Sequence, residues 1–291
     1  MFDPPYKKGG FQNERGNVAK SVKFTDQVAL SGHLKELKDR FIIIAGTVGV
    51  FLGGCFFFRD HLLKWLQDPI PTQFKNLTFI SPTEPFFTAI KVSLLGSLFI
   101  SMPVILYQSW QFIAPGLKVK ERKITMLFVA SGTLFFLFGG IFCYYLVLPL
   151  GLKFLLLFGA AYWKMEVTIG LYYTFTLKLI LAFAFAFQTP LLMVFMTKLG
   201  LVSTVKMRLY RKWAFLGCFV MSAVLTPPDV ITQILLAVPL YGLYEFGVFV
   251  SYFFENPKQR EEAKAQVLAE REAKKTKSKK SPFKKPSKKT S

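Results

Sequence analysis

The sequence predicts an all-α, polytopic membrane protein of six spans. Three observations carry that reading. The chain has 291 residues, of which 52% are hydrophobic and 33 are Phe, and its mean hydropathy is +0.38, too apolar for an ordinary soluble domain. Uncharged runs of membrane-crossing length recur along it. The bases behind its formal charge of +20 gather in the hydrophilic stretches between those runs and in the tails, which reads as a topology signal rather than a nucleic-acid face.

Residues 1–30 form a polar, basic tail without an apolar core of signal-peptide length, and the reading is a flexible segment that is retained. From Ser31 to Arg40, Leu34 and Leu37 share one helical face while Lys35, Glu36, Lys38 and Asp39 are polar, so a short amphipathic helix feeds the first span, with Ser31 able to cap it. That span is Phe41–Phe58, 18 uncharged residues or about 27 Å of helix. Residues 59–91 carry too many prolines for a continuous helix and read as a folded loop on the far face. An amphipathic piece lies near His61–Leu66.

The second span, about 92–114, contains Pro103 and ends in an aromatic, amide-rich stretch closed by Pro115 and Gly116, one lacking a donor and the other permitting positive φ. The third span is about 124–147, followed by a second far-side loop over 148–170 with an amphipathic start. A fourth follows at about 175–197, with Lys178 near enough to its outer end to snorkel. The last pair, 213–225 and 231–250, is joined by Thr226-Pro227-Pro228-Asp229-Val230. With 13 residues the fifth span is about 20 Å long against a hydrocarbon core of about 30 Å, which calls for local bilayer thinning or a recessed position. Residues 251–291 form a basic tail, helical to about Glu272 and disordered in its last part, where the acid-free lysine run from Lys274 onward is drawn to anionic lipid.

Counting bases sets the orientation. The two short loops 115–123 and 198–212 hold 9 Lys and Arg in 24 residues, whereas the three opposite segments hold 6 in 61. Both termini are therefore expected inside. Cys55, Cys143 and Cys218 lie apart within apolar runs and fit no metal or redox spacing, so they read as small buried side chains. His33 and His61 lack a second ligand at metal spacing. No nucleophile–base pair, metal cluster or Walker-type phosphate loop appears, and the expectation is a non-enzyme with no cofactor and no nucleic-acid partner.

Five motifs stand in order along the chain: His33-Leu34 with Glu36-Leu37 and Arg40; Ser81-Pro82-Thr83-Glu84-Pro85-Phe86; Pro103 with Tyr107-Gln108, Trp110, Phe112, Pro115-Gly116-Leu117 and Glu121-Arg122; Thr226-Pro227-Pro228-Asp229; and Leu243-Tyr244-Glu245. Together they resemble the TatC family, the multispanning component of the twin-arginine protein translocase. The resemblance covers about residues 31–250, a single transmembrane domain. It implies a curved, glove-like six-helix fold and a receptor for signal peptides bearing an Arg-Arg pair. It also implies export of folded proteins with TatA- and TatB-type single-span partners, driven by the proton-motive force, and self-association in a receptor complex. The membrane is expected to be a bacterial inner membrane, with a thylakoid or mitochondrial inner membrane as the alternative.

A receptor for two adjacent arginines needs carboxylates, because guanidinium presents a planar donor fork that a carboxylate accepts bidentately. Acids near the inner surface are few, and the resemblance puts the binding acids at Glu36 and Glu121, with Phe112 and Leu117 flooring the patch and Arg122 beside it. The alternatives at these positions are an i, i+4 pair between Glu36 and Arg40, a solvated loop charge at Glu121 and simple interface anchoring by Phe112. Gln188-Thr189-Pro190 sits mid-span, where Pro190 frees the Ala186 carbonyl. These three residues are expected either to contact a partner's single span or to repair the proline kink. Many family members carry Glu where this chain has Gln188. Glu245 lies inside the last span and reads, with His33, Arg40, Glu84 and Asp229, as a structural polar group. The rival reading is a small-solute transporter or channel with a polar pathway around Gln188 and Glu245.

Overall fold

Without water to satisfy it, apolar chain must close its own backbone hydrogen bonds, and here it does so as helices. The computed structural model describes residues 11–113, 124–160, 166–226 and 229–279. Helix α1 spans Phe11–Phe57, α2 Arg59–Gln67, α3 Glu84–Ile113, α4 Ile124–Phe142, α5 Leu148–Ala160, α6 Ile169–Ala186, α7 Gln188–Lys198, α8 Thr204–Leu209, α9 Arg211–Leu225, α10 Val230–Phe254 and α11 Pro257–Lys279. Among the described residues the only extended pairing is an isolated bridge between Thr78 and Thr168, which ties the two loops of one face together.

Five helical stretches are long and apolar enough to cross a bilayer: Leu34–Phe57, Glu84–Phe112, Met126–Leu157, Ile169–Lys198 and Val230–Phe254. Helix α9, at 15 residues, reaches about 22 Å and falls short of that length, as its apolar run predicts.

Several boundaries differ from the sequence reading. The amphipathic piece and the first span are one helix, and α1 runs back to Phe11 because no proline follows Pro5 to break it. Helix α3 starts at Glu84, since Pro85 falls in its first turn where a missing N–H costs nothing. The third span does not stop at Val147. A single wide π-turn, Cys143–Val147, carries it without interruption into α5, so Leu148–Ala160 is helix rather than loop, and all but its last residues belong to the membrane-length stretch Met126–Leu157. The fourth span begins at Ile169 and passes through a turn at Phe187, the joint between α6 and α7. Asp229 caps α10, its Oδ2 accepting the Thr232 N–H at 2.8 Å.

At the end of α7, Gly200 takes φ +76°, and the Leu201 and Gly200 N–H groups return to the Met196 and Thr197 carbonyls. This is the glycine-terminated stop that a left-handed residue permits. Helix α8 then starts at a double cap: Ser203 Oγ accepts from Val205 N, and the buried Glu255 carboxylate accepts from Thr204 N at 3.0 Å and from the Thr204 hydroxyl.

The core lies where α3, the α4–α5 rod and α6 meet α2 and α10, around Leu66, Val92, Leu148, Leu179, Phe183 and Leu236. Helix α4 meets α6 at close range through Gly139, where an added Cβ would lie 2.8 Å from the Phe183 carbonyl oxygen and 3.0 Å from Ala184 Cα. By contrast, Leu34–Phe57 of α1 is almost wholly exposed within the chain and packs on α3. Cys55 and Cys143 are buried as expected, whereas Cys218 is only half-buried.

Candidate functional site

On α1, Glu36 and Arg40 are one helical turn apart and therefore face the same way. Arg40 Nη2 donates to Glu36 Oε1 at 2.5 Å and its Nε to the same oxygen at 3.2 Å. The other arm of the guanidinium reaches α3, where Nη1 donates to Gln111 Oε1 at 2.8 Å and to Gln108 Oε1 at 3.3 Å. Gln111 Nε2 in turn donates to the Tyr107 hydroxyl at 2.5 Å. One arginine thus joins an acid on α1 to two amides on α3. These amides are the amide-rich stretch of the sequence, now with a defined job.

Burial separates the pair: the Arg40 side chain is 17% exposed and that of Glu36 34%. Arg40 is held in the seam while Glu36 borders an open cleft of about 430 Å³, lined also by Lys35, Asp39, Ile43, Gln108 and Gln111. The sequence reading did not assign Gln108 and Gln111. Their signal was their spacing, i and i+3 at the end of an otherwise apolar helix, which aligns both amides on one face.

Phe112 is half-buried in the last turn of α3, next to Gln111. Leu117, Glu121 and Arg122 lie outside the described residues, as do Pro115 and Gly116. The His33 backbone belongs to α1, one turn before Glu36.

Gln188, Glu245 and Glu84 are each satisfied by different neighbours. Gln188 is buried, 8% exposed, and its Nε2 donates to the Gly132 carbonyl of α4 at 2.8 Å. It therefore bonds across to another helix rather than to the Ala186 carbonyl of its own kink. Thr189 is half-buried and Pro190 buried. Glu245 accepts from Arg211 Nη2 at 2.6 Å and from the Tyr241 hydroxyl at 2.7 Å, linking α10 to the start of α9. At the opposite end, Glu84 Oε1 accepts from Gly170 N at 2.7 Å and Oε2 from Ile80 N at 2.9 Å, so one carboxylate joins α3 to α6.

The family model for the Sec-independent protein translocase protein (TatC) matches residues 32–239, most of the chain. The chain belongs to the TatC family. Among curated members it is 38% identical over 226 residues to the TatC protein of Campylobacter jejuni, covering 76% of this chain and 92% of that one. It is 37% identical over 227 residues to that of Aquifex aeolicus, covering 76% and 93%, and 36% identical over 222 residues to that of Helicobacter pylori strain J99, covering 76% and 88%. Two crystal structures of a twin-arginine translocase receptor, TatC, share its fold. One has a TM-score of 0.70 at 36% identity, covering 76% of this chain and 99% of that one; the other, in DDM, has a TM-score of 0.71 at 37% identity, covering 75% and 99%. The chain is accordingly a multi-pass component of the Sec-independent translocation system, and the matched region coincides with the helices that build the Glu36 cleft.

Proposed function

We propose that this chain is the signal-peptide receptor of its translocase, taking Arg-Arg signal peptides at the cytoplasmic face of a bacterial inner membrane. In this reading Glu36 and Glu121 accept the two guanidinium groups, Phe112 and Leu117 meet the apolar part of the peptide, and Arg122 borders the patch. The observation that carries it is the cleft beside Glu36, whose carboxylate already accepts a guanidinium in two hydrogen bonds. A site that holds Arg40 in this way has the chemistry to hold another arginine. Support also comes from the receptor role named for the two crystal structures that share the fold.

With TatA- and TatB-type single-span partners the complex exports folded proteins at the expense of the proton-motive force, and both termini face the cytoplasm. Partner-helix contact is assigned to the Gln188-Thr189-Pro190 joint. Gln188 sets the joint through Gly132, which leaves half-buried Thr189 as the group that meets an incoming helix.

The test is binding of fluorescent Arg-Arg and Lys-Lys signal peptides to the purified chain and to its Glu36→Ala and Glu121→Ala variants. The Arg-Arg peptide should bind tighter, and each substitution should cost about 1.5–3 kcal/mol, the worth of a charged hydrogen bond. Equal binding of both peptides to all three proteins would sink the assignment.

A further inference from the structure

At the end of the bundle where α3 finishes and α4 begins, a cavity of about 360 Å³ opens between α3, α4, α7 and α10. That volume lies within the range of about 300–1,000 Å³ usual for small-ligand sites. One wall is aromatic: the Trp110 ring centroid is 4.2 Å from that of Phe128 and 4.6 Å from that of Phe195. Phe246 and Phe254 of α10 form the other side. The single charged lining residue is Lys198, the last residue of α7, which is exposed and makes no ion pair among the described residues. The cavity shares no lining residue with the Glu36 cleft.

We propose that this cavity takes one acyl chain of an anionic phospholipid, with the lipid phosphate on the Lys198 ammonium. An apolar cavity between membrane-spanning helices with the Lys198 cation at its rim is complementary to an amphiphile with a negative head and a hydrocarbon tail. The charge also selects among apolar occupants. A signal peptide enters with its arginines at the same membrane face and would bring like charge to Lys198, whereas a phosphate is attracted to it. A zwitterionic lipid carries no net charge to gain from that attraction. One lysine near the surface favours an anionic head by about fivefold.

The test uses the full chain in nanodiscs containing equal amounts of phosphatidylglycerol and phosphatidylcholine, followed by native mass spectrometry of the extracted protein. One phosphatidylglycerol should be retained per chain. Lys198→Gln should lower its preference over phosphatidylcholine by about fivefold, and Val194→Trp, which fills the cavity, should abolish retention of both lipids. Should Val194→Trp fail to fold, the exposed Lys198→Gln substitution decides alone. Equal retention of the two lipids by wild type, or an unchanged preference in Lys198→Gln, overturns the proposal. So does cross-linking of an Arg-Arg peptide to residue 194 with no lipid retained.

Discussion

Tyr172 on α6 donates its hydroxyl hydrogen to the carbonyl of Leu66, in the last turn of α2, at 2.6 Å. Tyr144 and Tyr173 do the same for Trp65 and Leu63, at 2.6 and 2.8 Å. A helix leaves its last carbonyls without intrahelical donors; Tyr172 and Tyr144 supply donors to two of these, and Tyr173 adds one to the Leu63 carbonyl a turn earlier. Trp65 also stacks on Tyr144, with centroids 4.2 Å apart. Tyr172→Phe should lower the stability of the detergent-solubilised protein by about 1–3 kcal/mol, because the Leu66 carbonyl is left buried without a partner. Hydrogen exchange should rise first over residues 59–67; a rise spread evenly over the chain would show that the phenols do not act on α2 in particular.

Gly139 is where α4 and α6 touch through backbone. Gly139→Ala would place a methyl group 2.8 Å from the Phe183 carbonyl oxygen and 2.9 Å from Phe187 Cβ, and neither can swing aside as a long side chain would. A loss of about 1–3 kcal/mol is expected from overpacking. Gly46→Ala on exposed α1, where a Cβ meets nothing within 4 Å, is the matched control and should leave the melting temperature unchanged or raised.

Glu84 is expected to be more sensitive to neutralisation than its position at a helix start suggests. Both oxygens accept backbone N–H groups, one of them from α6. In Glu84→Gln one of the two positions becomes an NH₂ facing an N–H, so a charged hydrogen bond is lost. Limited proteolysis within the 75–83 loop should accelerate in this variant. Gly170→Ala should act similarly, since its Cβ would fall on the Glu84 carboxylate.

Gln188→Leu removes the second donor to the Gly132 carbonyl, which keeps its helical partner within α4, and should cost about 0.5–1.5 kcal/mol, the net worth of one hydrogen bond. Its effect on transport separates two roles: if export falls no further than the loss of folded protein accounts for, Gln188 is a structural amide and Thr189 alone carries partner contact.

The sequence made the spans legible because charge-free runs and proline–glycine breaks are local signals, and the short α9 follows from them. It also singled out Glu36 and Arg40. What it could not supply was the second half of the cleft. Gln108 and Gln111 lie about seventy residues from Arg40, and only the packing of α3 on α1 shows which amides meet the guanidinium. Likewise the Glu255 cap on α8 joins residues 51 apart. Past Val147 the helix continues, but its buried stripe falls out of step with that of α4, which only the structure shows. Continued at its spacing of three and four from Val129, Gly132, Phe136, Gly139 and Cys143, the stripe would next bury Leu146, Leu150, Lys153 and Leu157, yet all four are exposed while Val147, Leu148, Leu152 and Leu156 are buried.

That one-residue slip is the work of the wide turn at Cys143–Val147. A residue added to an α-helix without ending it rotates everything beyond by about 100°, so the turn acts as a gear between two halves of one rod. The upper half presents Phe136 toward Phe99 and Phe185, and the lower half presents Leu148 and Leu152 to the core. Removing one residue from this turn would leave the rod continuous but swing its lower half by more than a quarter revolution, carrying Leu148 and Leu152 out of the core. Length at this point in the chain therefore encodes direction, and a deletion too small to shorten the span noticeably would disassemble the far face of the protein.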